Sequence, residues 1–321
     1  MRKLLCILLV LFLPLTAFAL EWQQEMTQEE LLELMAEITP EEESEYASFL
    51  VMPDDFEVPD VDVFNLLLIG FDSYTLTGRG RSDTILLLQI DVAAKTIKMV
   101  SFMRDTYLKI PGAGYGRINA SYAYGGPDLL LKTIKENFGI TVDAYLSVNF
   151  SSLIALFDAI GGVEVEVTKD ELKKLNGILE YYNYMTGVDS KDGVLDHYGV
   201  VNLTGKQAMS YCRIRKLDSD FVRTNRQRRV IESAFRKIMK MDFASICNLV
   251  TDNIDKVITD LTLSDLIKLI PLAFKAKYAE FSEITIPAAG YYQGQTINGA
   301  AVMVPNLSKC VKKLNAFLYG E

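Results

Sequence analysis

The sequence predicts an α/β domain, a three-layer αβα sandwich whose mixed central sheet is covered by helices on both faces. Three observations support this fold class. Short apolar or β-branched runs alternate with segments of helical periodicity from Val63 to the C-terminal end. The first three strand runs are mainly apolar or β-branched, as in strands that are buried on both faces. Apolar residues make up 50% of the 321 residues, which is enough for one large core.

The strands are short and end at turn or charged residues, whereas the helices have caps. Gly70, Asp91 and Arg104 each follow a strand, and Gly139 is a suitable helix C-cap. The predicted strands are Phe64–Ile69, Thr84–Ile90, Ile97–Phe102, Tyr145–Phe150, Val163–Val167 and Ile284–Pro287. The predicted helices are Asp128–Phe138, Ser152–Ile160, Gly205–Tyr211, Asp220–Met241, Ala244–Val250, Leu263–Leu272 and Leu307–Leu318. Residues 169–198 have no sustained period, so we expect an insertion loop there and consider it a candidate lid.

The N-terminal 60 residues are expected to precede the domain. Arg2 and Lys3 are followed by an apolar run and the small-x-small pattern Ala17-Phe18-Ala19, which indicates an export signal over residues 1–19, with a retained membrane anchor as the alternative. Residues 20–60 read as an acidic helix and a spacer-like linker, and residues 61–321 as the domain. The protein is therefore expected outside the cytoplasm, in the cell envelope, either secreted or tethered to the outer face of the membrane.

Charge is unevenly distributed along the chain. The net charge is −9, yet basic residues crowd positions 206–240. Export and the acidic net charge argue against nucleic acid as a ligand, and the basic stretch favours an anionic ligand.

Three cysteines remain after the signal, Cys212, Cys247 and Cys310. An odd number argues against a disulfide scaffold, so we expect buried thiols, with a Cys247–Cys310 bridge as the alternative.

Two carboxylates and an arginine lie at strand ends. Asp72 follows the first strand, Asp83 precedes the second, and Arg104 follows the third, so all three are expected at one edge of the sheet. Carboxylates without a nearby His or Cys suit a hard cation such as Mg²⁺. The alternative is that both aspartates cap helices or turns and that Arg104 is a surface charge or the partner of a nearby carboxylate.

The most promising cluster for an anion lies in the basic stretch. If Tyr211–Arg215 is a strand, Arg213 and Arg215 lie on one face about 7 Å apart, where a phosphate would relieve their repulsion. Further on, Arg223, Arg226 and Gln227 share one face of the predicted helix that begins at Asp220. The alternative is a solvated basic helix face, which applies most to Arg228, Arg229 and Arg236.

An ordered set of motifs resembles the LytR-CpsA-Psr proteins of bacterial cell envelopes. The resemblance covers about Val63 to Leu318. It rests on the segments Asn65–Asp72, Arg81–Thr84, Ser101–Thr106, Arg117–Ala120 with Gly125-Gly126, Val148–Phe150, Gly161–Val165, Leu203–Ala208, Arg213–Arg215 and Asp220–Gln227.

The resemblance implies a phosphotransferase. It would move a glycopolymer, such as teichoic acid or capsule, from an undecaprenyl-pyrophosphate carrier at the membrane surface onto peptidoglycan. The implied Mg²⁺ ligands are Asp72 and Asp83, with Mn²⁺ as a substitute ion. The implied pyrophosphate ligands are Arg81, Arg104, Arg213, Arg215, Arg223 and Gln227. Of these Arg104, Arg213 and Arg215 would act in catalysis, and Asp105 and Asp220 are candidates to accept the hydroxyl proton.

The resemblance also implies an apolar channel for the lipid tail, and residues 138–157 are candidates to line it. Members of the family are commonly held by an uncleaved N-terminal span, whereas this chain has a cleavage pattern at Ala17-Phe18-Ala19. Two other functions use the same arginines: a polyprenyl-pyrophosphate-binding envelope regulator and a hydrolase that gives the pyrophosphate to water.

Overall fold

The computed structural model describes residues 37, 39, 63–73, 80–91, 93–214, 220–262 and 279–320. Its strands are β1 (Phe64–Phe71), β2 (Ser82–Asp91), β3 (Thr96–Phe102), β4 (Tyr107–Ile110), β5 (Gly114–Arg117), β6 (Ala144–Val148), β7 (Val163–Val167), β8 (Gly199–Leu203), β9 (Ile258–Thr259), β10 (Glu280–Ile286), β11 (Tyr292–Ile297) and β12 (Ala300–Pro305). Its helices are α1 (Ile118–Phe138), α2 (Phe150–Ala159), α3 (Lys169–Met185), α4 (Gly205–Cys212), α5 (Asp220–Ile238), α6 (Phe243–Thr251) and α7 (Leu307–Tyr319).

The central sheet is mixed, as predicted. Its six strands lie in the order β10-β3-β2-β1-β6-β9. Strands β1, β2 and β3 are antiparallel neighbours, while β6 runs parallel to β1 and β10 parallel to β3. Because β1 and β2 form a hairpin, the end of β1 and the start of β2 meet at one edge of the sheet.

Both faces of the sheet are covered. Alternation along β1 sends Leu66 to one hydrophobic cluster and Leu67 to another. The Leu66 side packs on helices α2 to α6, and the Leu67 side packs on α1 and α7. Both leucines are fully buried, so the three-layer sandwich is confirmed.

Three two-stranded sheets accompany the central sheet: the hairpin β4–β5, the pair β7–β8, whose strands are connected through α3, and the hairpin β11–β12. The last of these is attached to the segment that follows β3, because the amide of Met303 donates to the carbonyl of Asp105 at 2.9 Å. Met303 also forms a parallel bridge with Thr106. The hairpin β11–β12 is therefore fixed beside Arg104 and Asp105.

The expected insertion loop over residues 169–198 is wrong for its first half, which is helix α3. A capping box starts the helix, since Thr168 accepts from the Glu171 amide and Glu171 accepts from the Thr168 amide. Leu175 and Leu179, one turn apart, are fully buried. Exposed Tyr181 and Tyr184 interrupt the apolar pattern, which explains why the helix was missed.

Helix α1 begins earlier than predicted and is kinked at Gly125 and Gly126, where Gly126 has φ of 63°.

Three predicted elements lie outside the described residues: the export signal, the first acidic helix and the helix at residues 263–272. Within the ranges that the structure describes, no helix is long and apolar enough to cross a membrane.

Candidate functional site

An apolar cavity lies between one face of the sheet and the helices that cover it. It contains about 990 Å³ of space, including its open mouth. Its apolar lining comes mainly from β1, β6, α2 and α5, with Leu68, Leu146, Leu153, Phe157, Val230 and Ile231 as examples. The expected channel lining over residues 138–157 is thus correct from Leu146 onward, whereas Phe138 packs against Phe102 on the other face of the sheet.

One set of polar groups interrupts this apolar lining. Asp83, Arg213 and Arg223 are its charged members, and Gln227 lies on α5 one turn after Arg223. The structure therefore brings together four of the predicted site residues, although they come from three separate parts of the chain. A cavity with an apolar body and a few convergent charges suits an amphipathic, anionic ligand.

Arg213 reaches the cavity from the end of a helix. The predicted strand over residues 211–215 is wrong, because the capping box of Thr204 and Gln207 begins a helix that continues through Cys212. The Arg213 guanidinium lies 4.2 Å from the centroid of the Phe150 ring, a cation–π contact that fixes its orientation. Arg215 lies outside the described residues, so its predicted pairing with Arg213 stays a prediction.

Helix α5 uses its arginines in two different ways. Arg223 and Gln227 line the cavity, but Arg226 does not share their role. Its side chain is 1% exposed and its Nε donates to Oε1 of Glu171 at 2.7 Å. Burial raises the pKa of Glu171, but hydrogen bonds from the Thr168 amide and Arg226 outweigh it and hold the pKa below its ordinary value. Arg226 is therefore a structural anchor of the helix.

The expected solvated basic face is only partly present. Arg228 is buried and bound to Glu283, and its Nη1 donates to Ser101 at 2.8 Å. Arg229 and Arg236 do face solvent. Asp220 begins α5, but its side chain lies outside the part of the chain that the structure describes.

Asp72 and Asp83 both lie at the predicted edge of the sheet, next to the paired residues Phe71 and Ser82. The Asp72 amide donates to the Arg81 carbonyl at 2.9 Å, which closes the end of the β1–β2 hairpin. Asp83 Oδ1 accepts from Arg104 Nη1 at 2.6 Å. Across the described ranges, no group of three or more His, Cys, Asp or Glu side chains could hold a metal. Two carboxylates fit Mg²⁺ if water and phosphate oxygens complete its shell.

From Arg104 a row of alternating charges continues away from the cavity. Arg104 Nε lies 3.4 Å from Asp105 Oδ2, and Asp105 Oδ1 accepts from Arg117 at 3.0 Å. Glu37 then bridges Arg117 and Arg81, with Arg81 at 3.0 Å. Arg81 is thus paired at the outer end of this row and does not line the cavity.

Sequence reasoning missed Glu37 and gave Arg117 no role. Glu37 lies in the acidic segment that was expected to be a spacer, and Thr39 two residues on exchanges two backbone hydrogen bonds with Tyr115, at 2.7 and 2.6 Å. The sequence offered one signal for this ion-pair row, which is that Arg117 belongs to one of the quoted motifs.

Cys212 and Cys310 are buried free thiols, as predicted, and burial raises the pKa of both to about 12. The Cys247 side chain is outside the described residues.

The model of the LytR_cpsA_psr family matches residues 28–316. The chain belongs to the LytR-CpsA-Psr family. Polyisoprenyl-teichoic acid–peptidoglycan teichoic acid transferase TagT of Bacillus subtilis (strain 168) is 32% identical over 243 residues, which cover 73% of this chain and 72% of TagT.

Two solved structures share the fold of this LytR-CpsA-Psr protein. The structure of TagT bound to LI-WTA superposes with a TM-score of 0.63 and 28% identity, covering 83% of this chain and 94% of that one. The structure of the family protein YwtF (TagT) with bound octaprenyl pyrophosphate lipid has a TM-score of 0.59 and 27% identity over the same shares, 83% and 94%. The family match begins at residue 28 and therefore includes Glu37 and Thr39.

Proposed function

We propose that this protein transfers a glycopolymer from a polyprenyl-pyrophosphate carrier to peptidoglycan and releases the prenyl monophosphate. The observation that carries the proposal is the apolar cavity whose charged lining residues are Asp83, Arg213 and Arg223. An apolar tail matches the cavity, and guanidinium groups match phosphate oxygens. The teichoic acid transferase named as a relative and the family structure with octaprenyl pyrophosphate support the same assignment.

The chemistry is one displacement at phosphorus. A sugar hydroxyl of the acceptor forms a bond to the phosphorus that carries the polymer, the bond from that phosphorus to the bridging oxygen breaks, and the hydroxyl loses its proton. Asp105 and Asp220 are the candidate proton acceptors. Arg104 and Arg213 are proposed to stabilise charge on the phosphate oxygens, and the contact of the Arg213 guanidinium with Phe150, at 4.2 Å, supports this role for Arg213. Arg215 is proposed to join them.

The further ligand assignments are those that the family resemblance implies. Arg223 and Gln227 are proposed to bind the pyrophosphate from α5, and Arg81 and Arg104 from the β1–β2 and β3 ends. Asp72 and Asp83 would hold Mg²⁺, or Mn²⁺ in its place, and the ion would neutralise charge on the pyrophosphate oxygens. We propose that the protein works at the outer face of the cytoplasmic membrane, because the carrier is a membrane lipid and the sequence predicts export.

Label transfer tests the proposal. The full chain is incubated with a polyprenyl-pyrophosphate donor carrying radiolabelled sugar and with peptidoglycan, in Mg²⁺ or in EDTA. We expect label in peptidoglycan in Mg²⁺ only, and a loss of about 100-fold or more for Arg213→Ala. The exposed Arg236→Ala is the matched control and should keep activity. Bound but unreacted donor would indicate a regulator instead, and free sugar phosphate a hydrolase.

A further inference from the structure

A second concave surface lies beside the charged row and is separate from the apolar cavity. It is an open groove along the β11–β12 hairpin, lined by Asp105, Tyr292, Gly294, Gln295, Thr296 and Met303 among others. The hairpin is held there at two points. Met303 bonds to the Asp105 carbonyl, and the Tyr292 ring stacks on Phe221 of α5 with centroids 6.2 Å apart. The groove is therefore a fixed part of the site's surroundings.

The position of this groove follows from the charged row. Asp83 lines the cavity and binds Arg104, Arg104 contacts Asp105, and Asp105 lines the groove. The contacts from Asp83 through Arg104 to Asp105 thus connect the cavity with the groove, while the rest of the row continues to Arg81. Asp105 remains 21% exposed and within reach of a ligand.

Phosphoryl transfer needs its attacking and leaving oxygens roughly in line with phosphorus. If the prenyl tail lies in the cavity, the leaving oxygen is on the cavity side, so the attacking hydroxyl must arrive from the opposite side. Asp105, a candidate to accept the proton of that hydroxyl, lines the groove and not the cavity, which makes the groove the candidate surface for the acceptor. This step rests on the proposed function.

The chemistry of the lining indicates the class of ligand. Among the described lining residues Asp105 is the only charged one, so the groove lacks the cations that a phosphate polymer would need. Gln295 and Thr296 are exposed and offer amide and hydroxyl groups. Tyr292 adds an aromatic ring with a polar tip. Aromatic, amide and hydroxyl groups together suit an uncharged, polyhydroxylated sugar.

We infer that the β11–β12 groove binds the glycan strand of the acceptor, with Asp105 beside the sugar hydroxyl that attacks. The groove is a binding site for uncharged, polyhydroxylated sugars of the acceptor. The donor, which carries the polymer, is bound by the arginines that line the cavity and not by the groove. Gln295 and Tyr292 are specificity residues for the acceptor and have no part in binding the donor.

The test measures acceptor and donor separately, with the full chain. Soluble peptidoglycan glycan fragments without attached polymer are titrated into the wild type, Gln295→Ala, Tyr292→Ala and the control Gln293→Ala. Gln293 lies on the same strand and is equally exposed but does not line the groove. We expect the two groove variants to bind the fragment about tenfold more weakly, and the control to be unchanged. Octaprenyl pyrophosphate should bind all four proteins equally.

The outcomes separate this inference from the proposed function. Fragment binding that depends on Gln295 supports the groove even if no transfer is detected, in which case only the transferase assignment fails. Wild-type fragment binding that is absent, or that neither groove variant weakens, overturns the groove while transfer can still occur. Tyr292→Ala removes the stacking with Phe221 and could therefore disturb the fold of the hairpin. Gln295 is exposed, so Gln295→Ala tests the groove without this risk.

Discussion

Replacing Arg226 with methionine is expected to destabilise the protein strongly without removing a ligand contact. The change keeps most of the side-chain volume but leaves Glu171, which is 6% exposed, without its ion-pair partner. Breaking a buried pair in this way costs about 3–5 kcal/mol. At about 2–4 °C per kcal/mol for a domain of this size, the melting temperature should fall by about 6–20 °C. The matched variant Arg236→Met removes a pair with 54% exposure at Arg236 and should shift it far less.

The pH dependence gives this prediction a second, sharper test. In the wild type the pKa of Glu171 is below its ordinary value of 4.5, so the stability it contributes is present above that value and is lost as the pH falls through the folded pKa. Without Arg226, one of the hydrogen bonds that lower the pKa of Glu171 is lost and burial should raise this pKa. Protonation of Glu171 in mild acid then removes the unpaired buried charge, so the variant loses less stability than the wild type as the pH falls. Melting followed by circular dichroism from pH 7 to pH 4 should show the gap between the two proteins narrowing. A gap under 2 °C at pH 7, or one that widens in acid, would refute the reasoning.

The remaining predictions concern close packing and the outer end of the charged row. Gly205→Ala should destabilise by about 1–3 kcal/mol, because its new Cβ would lie 1.9 Å from the Ile154 carbonyl oxygen, whereas Gly177→Ala meets open space within a helix and should stabilise by about 0.5–1 kcal/mol. Urea unfolding measures both, and equal effects would contradict the packing argument. Glu37→Gln should tighten octaprenyl pyrophosphate binding by about two- to fivefold in calorimetry, because Arg81 loses a competing anion. Weaker binding would instead mean that Glu37 positions the arginine.

The central sheet could be predicted from the sequence because its strands are apolar on both faces and end at turn residues. Phe64–Phe71 is mostly apolar, Thr96–Phe102 has apolar residues at Ile97, Met99, Val100 and Phe102, and the predicted bounds differ from the observed ones by at most two residues. The hairpin β11–β12 has no such signal. Its first strand carries exposed Gln293, Gly294, Gln295 and Thr296, a composition that also fits a loop.

The sequence predicts those residues of the candidate site that lie at strand ends. It does not predict contacts between side chains that are far apart in the chain. Asp72, Asp83 and Arg104 follow from the sheet, since strand ends share an edge. The anchoring role of Arg226 depends on Glu171, which lies 55 residues away in the chain, in a helix whose sequence pattern predicts a loop. Helical spacing alone could not tell which arginines of α5 face the cavity and which face the core.

The most direct test of the account compares octaprenyl pyrophosphate with octaprenol as ligands of the wild type and Arg213→Ala. The cavity should bind the tail of both, while Arg213 should bind only the pyrophosphate. We predict that the wild type prefers the pyrophosphate by about tenfold or more, and that Arg213→Ala loses this preference while its affinity for octaprenol is unchanged. Equal loss of both ligands, or an intact preference in Arg213→Ala, would contradict the division of the site into an apolar cavity and an arginine-lined phosphate site.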